Sequence, residues 1–113
     1  MGSPTSRSLA ILKKEGYEAQ VVERWNPYAR VRVDLFGFID IVAIKDGAIV
    51  GVQTTSQSNV GARVKKILAI PQAKLWLSAG GKIIVHGWVK KGKKDARKTW
   101  QASVREIMLQ DFL

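Results

Sequence analysis

The segment from Phe38 to Thr55, FIDIVAIKDGAIVGVQTT, constrains this chain more tightly than any other. Two apolar runs flank Asp46-Gly47, the dipeptide preferred in a two-residue type I′ turn because both central positions take positive φ. A two-residue loop fixes the register, so facing residues have numbers that sum to 93. Lys45 then faces Ala48, Ile44 faces Ile49, Ala43 faces Val50, Val42 faces Gly51 and Ile41 faces Val52. One step further Asp40 faces Gln53, with Cβ atoms ~5 Å apart, and Thr55 lies diagonally on the same face. Ile39, Ile41, Ala43, Val50 and Val52 form the opposite, apolar face, which must pack on something. The hairpin therefore predicts one buried face and a polar cluster at the end away from the turn. A lone Asp at a strand end is ordinarily just solvated. Here Glu23 and Asp34 each close a predicted strand as well.

Before the hairpin, Pro4, Thr5 and Ser6 can start a helix whose apolar face is Leu9, Ile11 and Leu12 and which Gly16 ends. YEAQVVERW predicts a strand from about Tyr17 to Trp25, broken by Asn26-Pro27. RVRVDLF alternates, placing Arg30, Arg32 and Asp34 on one side and Val31, Val33 and Leu35 on the other; Gly37 marks a bulge or bend. After Thr55 the period changes from two to about 3.6 residues. Val60, Val64, Ile67 and Leu68 share one helical stripe, with Ser56, Ser58 and Asn59 as candidate N-caps. Arg63 borders that stripe and Lys65 and Lys66 lie off it. Pro71 kinks or restarts the helix, which runs on to Gly80-Gly81. Lys82–Val89 reads as a strand, and Trp100–Val104 as either a strand or a helix start.

No linker, repeat or low-complexity tract divides residues 1–113, which read as a single domain long enough to bury a core. The 19 Lys and Arg outnumber the 9 Asp and Glu, for a net charge of +10, which points to a polyanionic partner. The densest charge run, Lys90 to Lys98, reads as an exposed loop. The absence of cysteine excludes disulfides, thiolate metal sites and cysteine nucleophiles. No apolar run approaches the ~20 residues needed to span a bilayer and the N-terminus lacks a signal-peptide core, so the expectation is no membrane and a cytoplasmic location. His86 stands alone in mid-strand and reads as structural or solvent-facing rather than as a base. Trp25, Trp76, Trp88 and Trp100 are spread over different elements and read as core or dimer-interface residues, with base stacking the lesser reading.

The order helix, strand, strand, strand, helix, strand resembles the core of the PD-(D/E)XK nuclease superfamily, in particular the small endonucleases that include Holliday-junction resolvases. The residues carrying the resemblance are LKKEGYEAQVVERW, DLFGFIDIVAI and GAIVGVQTT. In the family a Gly-x-x-Asp segment enters a strand and a hairpin brings that Asp beside a Glu-x-Lys. Here Gly37-Phe38-Ile39-Asp40 matches the first motif, and Gln53-Thr54-Thr55 stands where Glu-x-Lys is expected. The resemblance covers about three quarters of the chain.

What it implies is an α/β, restriction-endonuclease-like fold, a central mixed sheet flanked by helices in the order α-β-β-β-α-β. Phosphodiester hydrolysis needs charge stabilisation at the phosphate and a hydroxide-like nucleophile, which hard oxygen ligands supply by holding Mg²⁺ (or Mn²⁺) with its waters. Asp40 would be the central metal ligand and Gln53 a neutral one through its side-chain carbonyl. Asp34 or Glu23 would add a carboxylate, with backbone carbonyls of Val52 or Thr54 as further oxygens. Thr55 lacks the cation of the family Lys, so Arg63 is the candidate to orient water or clamp phosphate. Arg30, Arg32, Arg63, Lys65, Lys66, Lys90, Lys91, Lys93 and Lys94 would contact the backbone of DNA, and a homodimer is expected. Two alternatives stand beside the endonuclease: an inactive DNA-binding protein on the same fold, and a basic structural or assembly protein.

Overall fold

A computed structural model describes residues 2–113. The first helix, α1 (Pro4–Lys14), starts as the sequence predicts: Pro4 stands in the first turn and the Ser3 hydroxyl caps it, accepting from the Ser6 N–H at 3.1 Å. Strand β1 (Glu18–Val21) follows, then a two-stranded ribbon of β2 (Arg24–Asn26) and β3 (Val31–Val33). The hairpin of β4 (Ile41–Lys45) and β5 (Ala48–Ser56) leads through a short 3₁₀ turn, Gln57–Asn59, to helices α2 (Val60–Leu68) and α3 (Pro71–Ser78). Strands β6 (Lys82–Lys91) and β7 (Thr99–Ile107) and a last 3₁₀ turn, Leu109–Phe112, complete the chain. The protein is thus α/β, with a five-stranded sheet in the order β1-β4-β5-β6-β7. The sheet is mixed: β5 and β6 run parallel across the α2–α3 crossover, and the other neighbours are antiparallel.

Two apolar cores follow from this layering. Leu12 of α1, with Leu9 and Tyr17, covers Ala19, Ile41, Ala43, Val50 and Val52 on one face. On the other, Ile67 and Ala73 pack with Phe38, Ile39, Ile83, Val85 and Ile107, and Val60, Val64 and Leu68 pack against them. Each such aliphatic side chain contributes about 1.5–3 kcal/mol on full burial. Ile39 therefore does not share the face of Ile41, contrary to strict alternation. The reason is the turn before it, where Leu35 bridges Ile39 and Phe36 and Gly37 both take positive φ (55° and 83°), so regular strand geometry begins only at Ile41.

The hairpin register is the predicted one, residue for residue from Ile41↔Val52 to Lys45↔Ala48. The turn type is not. Gly47 has φ +79° but Asp46 keeps a negative φ, the sign pattern of a type II turn. The consecutive left-handed pair of a type I′ turn stands instead at Phe36-Gly37, closed by Phe38 N–H donating to Leu35 O at 3.2 Å.

Other expectations are corrected in the same way. The strand read as Tyr17–Trp25 is two, because the Asp40 carbonyl accepts from the N–H groups of Val22 (2.8 Å) and Glu23 (3.4 Å) and turns the chain out of the main sheet. RVRVDLF contributes only the three residues of β3, paired with β2 and not with the central sheet. The element order is accordingly longer than α-β-β-β-α-β. Asn59 holds the α2 N-cap position with no side-chain cap hydrogen bond. Lys90 and Lys91 belong to β6 rather than to a loop, and Trp100–Val104 is strand. No described helix is long and apolar enough to cross a membrane.

His86 is buried. Its Nδ1 lies 2.8 Å from the Ser8 hydroxyl, which also accepts from the Trp88 indole N–H at 2.8 Å. The Ser8 hydroxyl bridges the two rings: it accepts from the Trp88 indole and still has both its proton and a second lone pair for His86 Nδ1. Burial lowers the His86 pKa, only partly opposed by the charge of Glu15. His86 and Trp88 thus pin α1 to β6.

Candidate functional site

At the end of the hairpin away from its turn, the chain gathers carboxylates that are far apart in sequence. Glu23 immediately precedes β2, Asp34 immediately follows β3 and Asp40 immediately precedes β4. One oxygen from each of the three lies within 4.8 Å of the others, so three of the chain's nine acidic residues meet at one point. They line a cleft of about 530 Å³ with Thr54 and Thr55 of β5 and the N-terminus of α1 at Pro4 and Thr5; Arg32, Arg63 and Lys66 supply its cations.

Asp40 is the hub of this arrangement and is 3% exposed. Its Oδ2 accepts from Gln53 Nε2 (2.7 Å), from the Thr54 backbone N–H (2.8 Å) and from the Thr54 hydroxyl (3.3 Å). Its backbone N–H donates to Val52 O at 2.9 Å, extending the hairpin one step beyond the formal strands and occupying that carbonyl. The sequence expectation that Asp40 and Gln53 meet across the hairpin is what the geometry displays.

Gln53 presents its amide nitrogen to the acids, not its carbonyl. Nε2 also lies 3.4 Å from Asp34 Oδ2, so one NH₂ group spans two carboxylates. Its Oε1 is buried without a hydrogen-bond partner. A buried unsatisfied carbonyl costs about 1–3 kcal/mol.

Two threonine hydroxyls link the acids by a second route. Thr5 Oγ1 lies 3.3 Å from Glu23 Oε1 and 3.0 Å from Thr54 Oγ1, which is 3.3 Å from Asp40 Oδ2. Each hydroxyl has one proton, so with both acids ionised at most two of these three contacts are hydrogen bonds at any moment. Sequence reasoning missed Thr5 and considered Thr54 only for its backbone carbonyl. Thr5 stands one residue inside the start of α1, and no local signal there tells which sheet end the helix will reach.

The electrostatics follow from burial and crowding. Asp34 is pushed up to about 6, first by burial, then by its hydrogen bond to Asp40 and that residue's charge, with Gln53 and Lys66 pulling back. Burial also raises Asp40, and Glu23 adds to the rise, while hydrogen bonds from Asp34, Thr54 and Gln53 oppose it. Asp34 is thereby favoured as the protonated partner of the pair. Glu23 is held by Arg32 at 3.7 Å.

Of the remaining sequence-predicted residues, Arg63 and Thr55 line the cleft, as does Lys66, whose helical angle had argued against it. Lys65 is exposed on α2 and Arg30 sits at the ribbon tip with φ 54°. Lys90, Lys91 and Lys93 flank a separate surface hollow with Gly92 and Lys98; Lys94 is exposed in the same β6–β7 loop. The expected cations thus divide between the cleft rim and a basic arm outside it, with Arg30 and Lys65 belonging to neither. Neither a protein-family model nor a curated protein matches this sequence.

Proposed function

We propose that the protein is a metal-dependent endonuclease acting on DNA, with a restriction-endonuclease-like core of the resolvase kind. The observation that carries the reading is the meeting of Glu23, Asp34 and Asp40 in a cleft rimmed by Arg32, Arg63 and Lys66, on a chain of net charge +10. A divalent cation suits this donor set. Burial and mutual repulsion raise Asp34 and Asp40, and the Gln53 carbonyl oxygen beside them has no partner. Glu23, Asp34 and Asp40 would hold Mg²⁺ or Mn²⁺, and Gln53 would join them once its amide turns over. When bound, such an ion stabilises charge on the phosphate and lowers the pKa of water.

The chain's own groups do the rest. Arg63 and Lys66 would hold the phosphate against the acids, Arg63 through a planar guanidinium suited to two oxygens. Thr55 stands where the family has Lys, and Arg63 lines the same cleft. The basic arm of β6–β7 would add backbone contacts that weaken steeply with salt. A cytoplasmic homodimer, cutting two strands of one branched substrate, belongs to the same proposal.

A second reading, a DNA-binding protein without catalysis, is favoured by one observation: Gln53 turns its Nε2 donor, and not its carbonyl, toward Asp34 and Asp40. Incubation with branched, duplex and single-stranded DNA in Mg²⁺ or Mn²⁺ separates the two. Cleavage lost in Asp40→Ala supports the endonuclease, salt-sensitive binding without cleavage supports the second reading, and no binding at all removes both.

A further inference from the structure

The β2–β3 ribbon stands apart from the central sheet, and its two ends are the site: Glu23 enters it and Asp34 leaves it. Its register pairs Arg24 with Val33 and Trp25 with Arg32. One step toward the base, the same register sets Glu23 opposite Asp34. Side chains alternate along a strand, so Glu23, Trp25, Arg32 and Asp34 share one face of the ribbon. The contact of Arg32 with Glu23 at 3.7 Å and the place of Arg32 in the cleft wall agree with that assignment. Trp25 is therefore directly across from Arg32 and about 7 Å beyond Glu23 along the strand, two residues at ~3.4 Å each.

Trp25 is 55% exposed, an indole left in water on the face that leads into an acidic cleft. Nothing in either apolar core includes it. The ribbon around it is cationic, with Arg24, Arg30 and Arg32 and no acid between Glu23 and Asp34. An exposed indole directly across from the Arg32 guanidinium suits a flat ring carried on a phosphate chain, because the base stacks while the cation holds its backbone.

We infer that Trp25 is a stacking platform for an unpaired DNA base adjacent to the phosphate held at Glu23, Asp34 and Asp40, so that the preferred substrate carries single-stranded bases beside the cut. The inference deepens the endonuclease proposal and rests on it. A base inside a duplex offers no free face, so the platform discriminates for gaps, flaps and junction arms over continuous duplex. Trp25 is a positioning residue: it sets which nucleotide lies at the acids and takes no part in bond breaking.

The test compares wild type, Trp25→Ala and Trp25→Phe for binding to a continuous duplex and to the same duplex with a flap, in Ca²⁺. Thermal melting confirms that the exposed substitutions leave the fold intact. Loss of one stacked base is worth about 5- to 150-fold in affinity. Trp25→Ala should lose that factor on the flap and almost none on the duplex, and Trp25→Phe should restore most of it. A 2-aminopurine in the flap should be quenched by wild type and not by Trp25→Ala. Equal losses on both DNAs, or unchanged quenching in Trp25→Ala, would overturn the stacking role while leaving metal-dependent cleavage standing. Absence of binding and cleavage with every DNA would instead remove the endonuclease reading and this inference with it.

Discussion

Two hairpins meet at the site, and they could hardly be built more differently. The β4–β5 hairpin lies within the sheet, with Ile41, Ala43, Val50 and Val52 at most 2% exposed and only its turn end, at Ile44 and Ile49, open to solvent. The β2–β3 ribbon pairs only with itself, and Trp25, Tyr28 and Val31 stand 49–97% exposed on it. Each contributes carboxylates or their partners: Asp40 and Gln53 from the rigid hairpin, Glu23 and Asp34 from the base of the ribbon. One element fixes its share of the site in the core, and the other holds its share at the edge of the solvent.

The sharpest way to break this contrast is through packing. Ile41→Ala should cost about 2–5 kcal/mol by creating a cavity between α1 and the sheet, measured by denaturant unfolding. If it costs less than a kcal/mol, the hairpin is not the rigid half of the site.

Asp40→Ala comes next, at about 1–3 kcal/mol, since it strips the acceptor from the Thr54 N–H and Gln53 Nε2. Asp40→Asn should recover part of this, because an amide oxygen still accepts from Thr54. On the endonuclease proposal, Mg²⁺ or Mn²⁺ should raise the melting temperature of the wild type and of neither variant, a ligand-linkage effect readable by melting alone.

Asp34→Asn should act in the opposite direction, raising metal-free stability at pH 7 by about 1 kcal/mol once solvent screening is allowed for. The sign follows from its raised pKa. The folded state holds the proton up to about pH 6 while the unfolded carboxyl releases it near 3.8. Stability from this group is therefore full below about pH 4 and lost as pH rises through 6. Melting temperatures of the two proteins should converge at pH 4, and a constant difference across pH 4 to 7 would contradict the assignment. Smallest of all is Val31→Ala on the ribbon, within about 0.5 kcal/mol as for other exposed positions. A larger loss would show that the ribbon is packed against something in solution.

The same contrast decides what was legible in the sequence. The β4–β5 register could be read because a two-residue loop and a buried face leave only one solution, and it survived even though the turn type did not. The reason is that Asp46-Gly47 fixes loop length through one positive φ at Gly47, and length alone sets pairing. The ribbon could not be read, because its strands alternate just as a half-buried strand does. Only the long-range hydrogen bonds from Val22 and Glu23 to the Asp40 carbonyl take β2 out of the sheet. For the site, Asp40 and Gln53 were legible through that register, and Glu23 and Asp34 as strand-end acids. Thr5 was not, since nothing local in a helix start says which sheet end it will reach. Gln53 was legible as a position but not in the direction of its amide, which depends on two carboxylates brought in from elsewhere.

The ribbon's separateness leaves the spacing of two of the three carboxylates to one short ladder. Glu23 and Asp34 stand at its base, one on each strand, and the ladder above them is only three residue pairs long. Glu23 is tied back to the sheet by its own N–H on the Asp40 carbonyl at 3.4 Å, whereas Asp34 reaches the site across the ribbon.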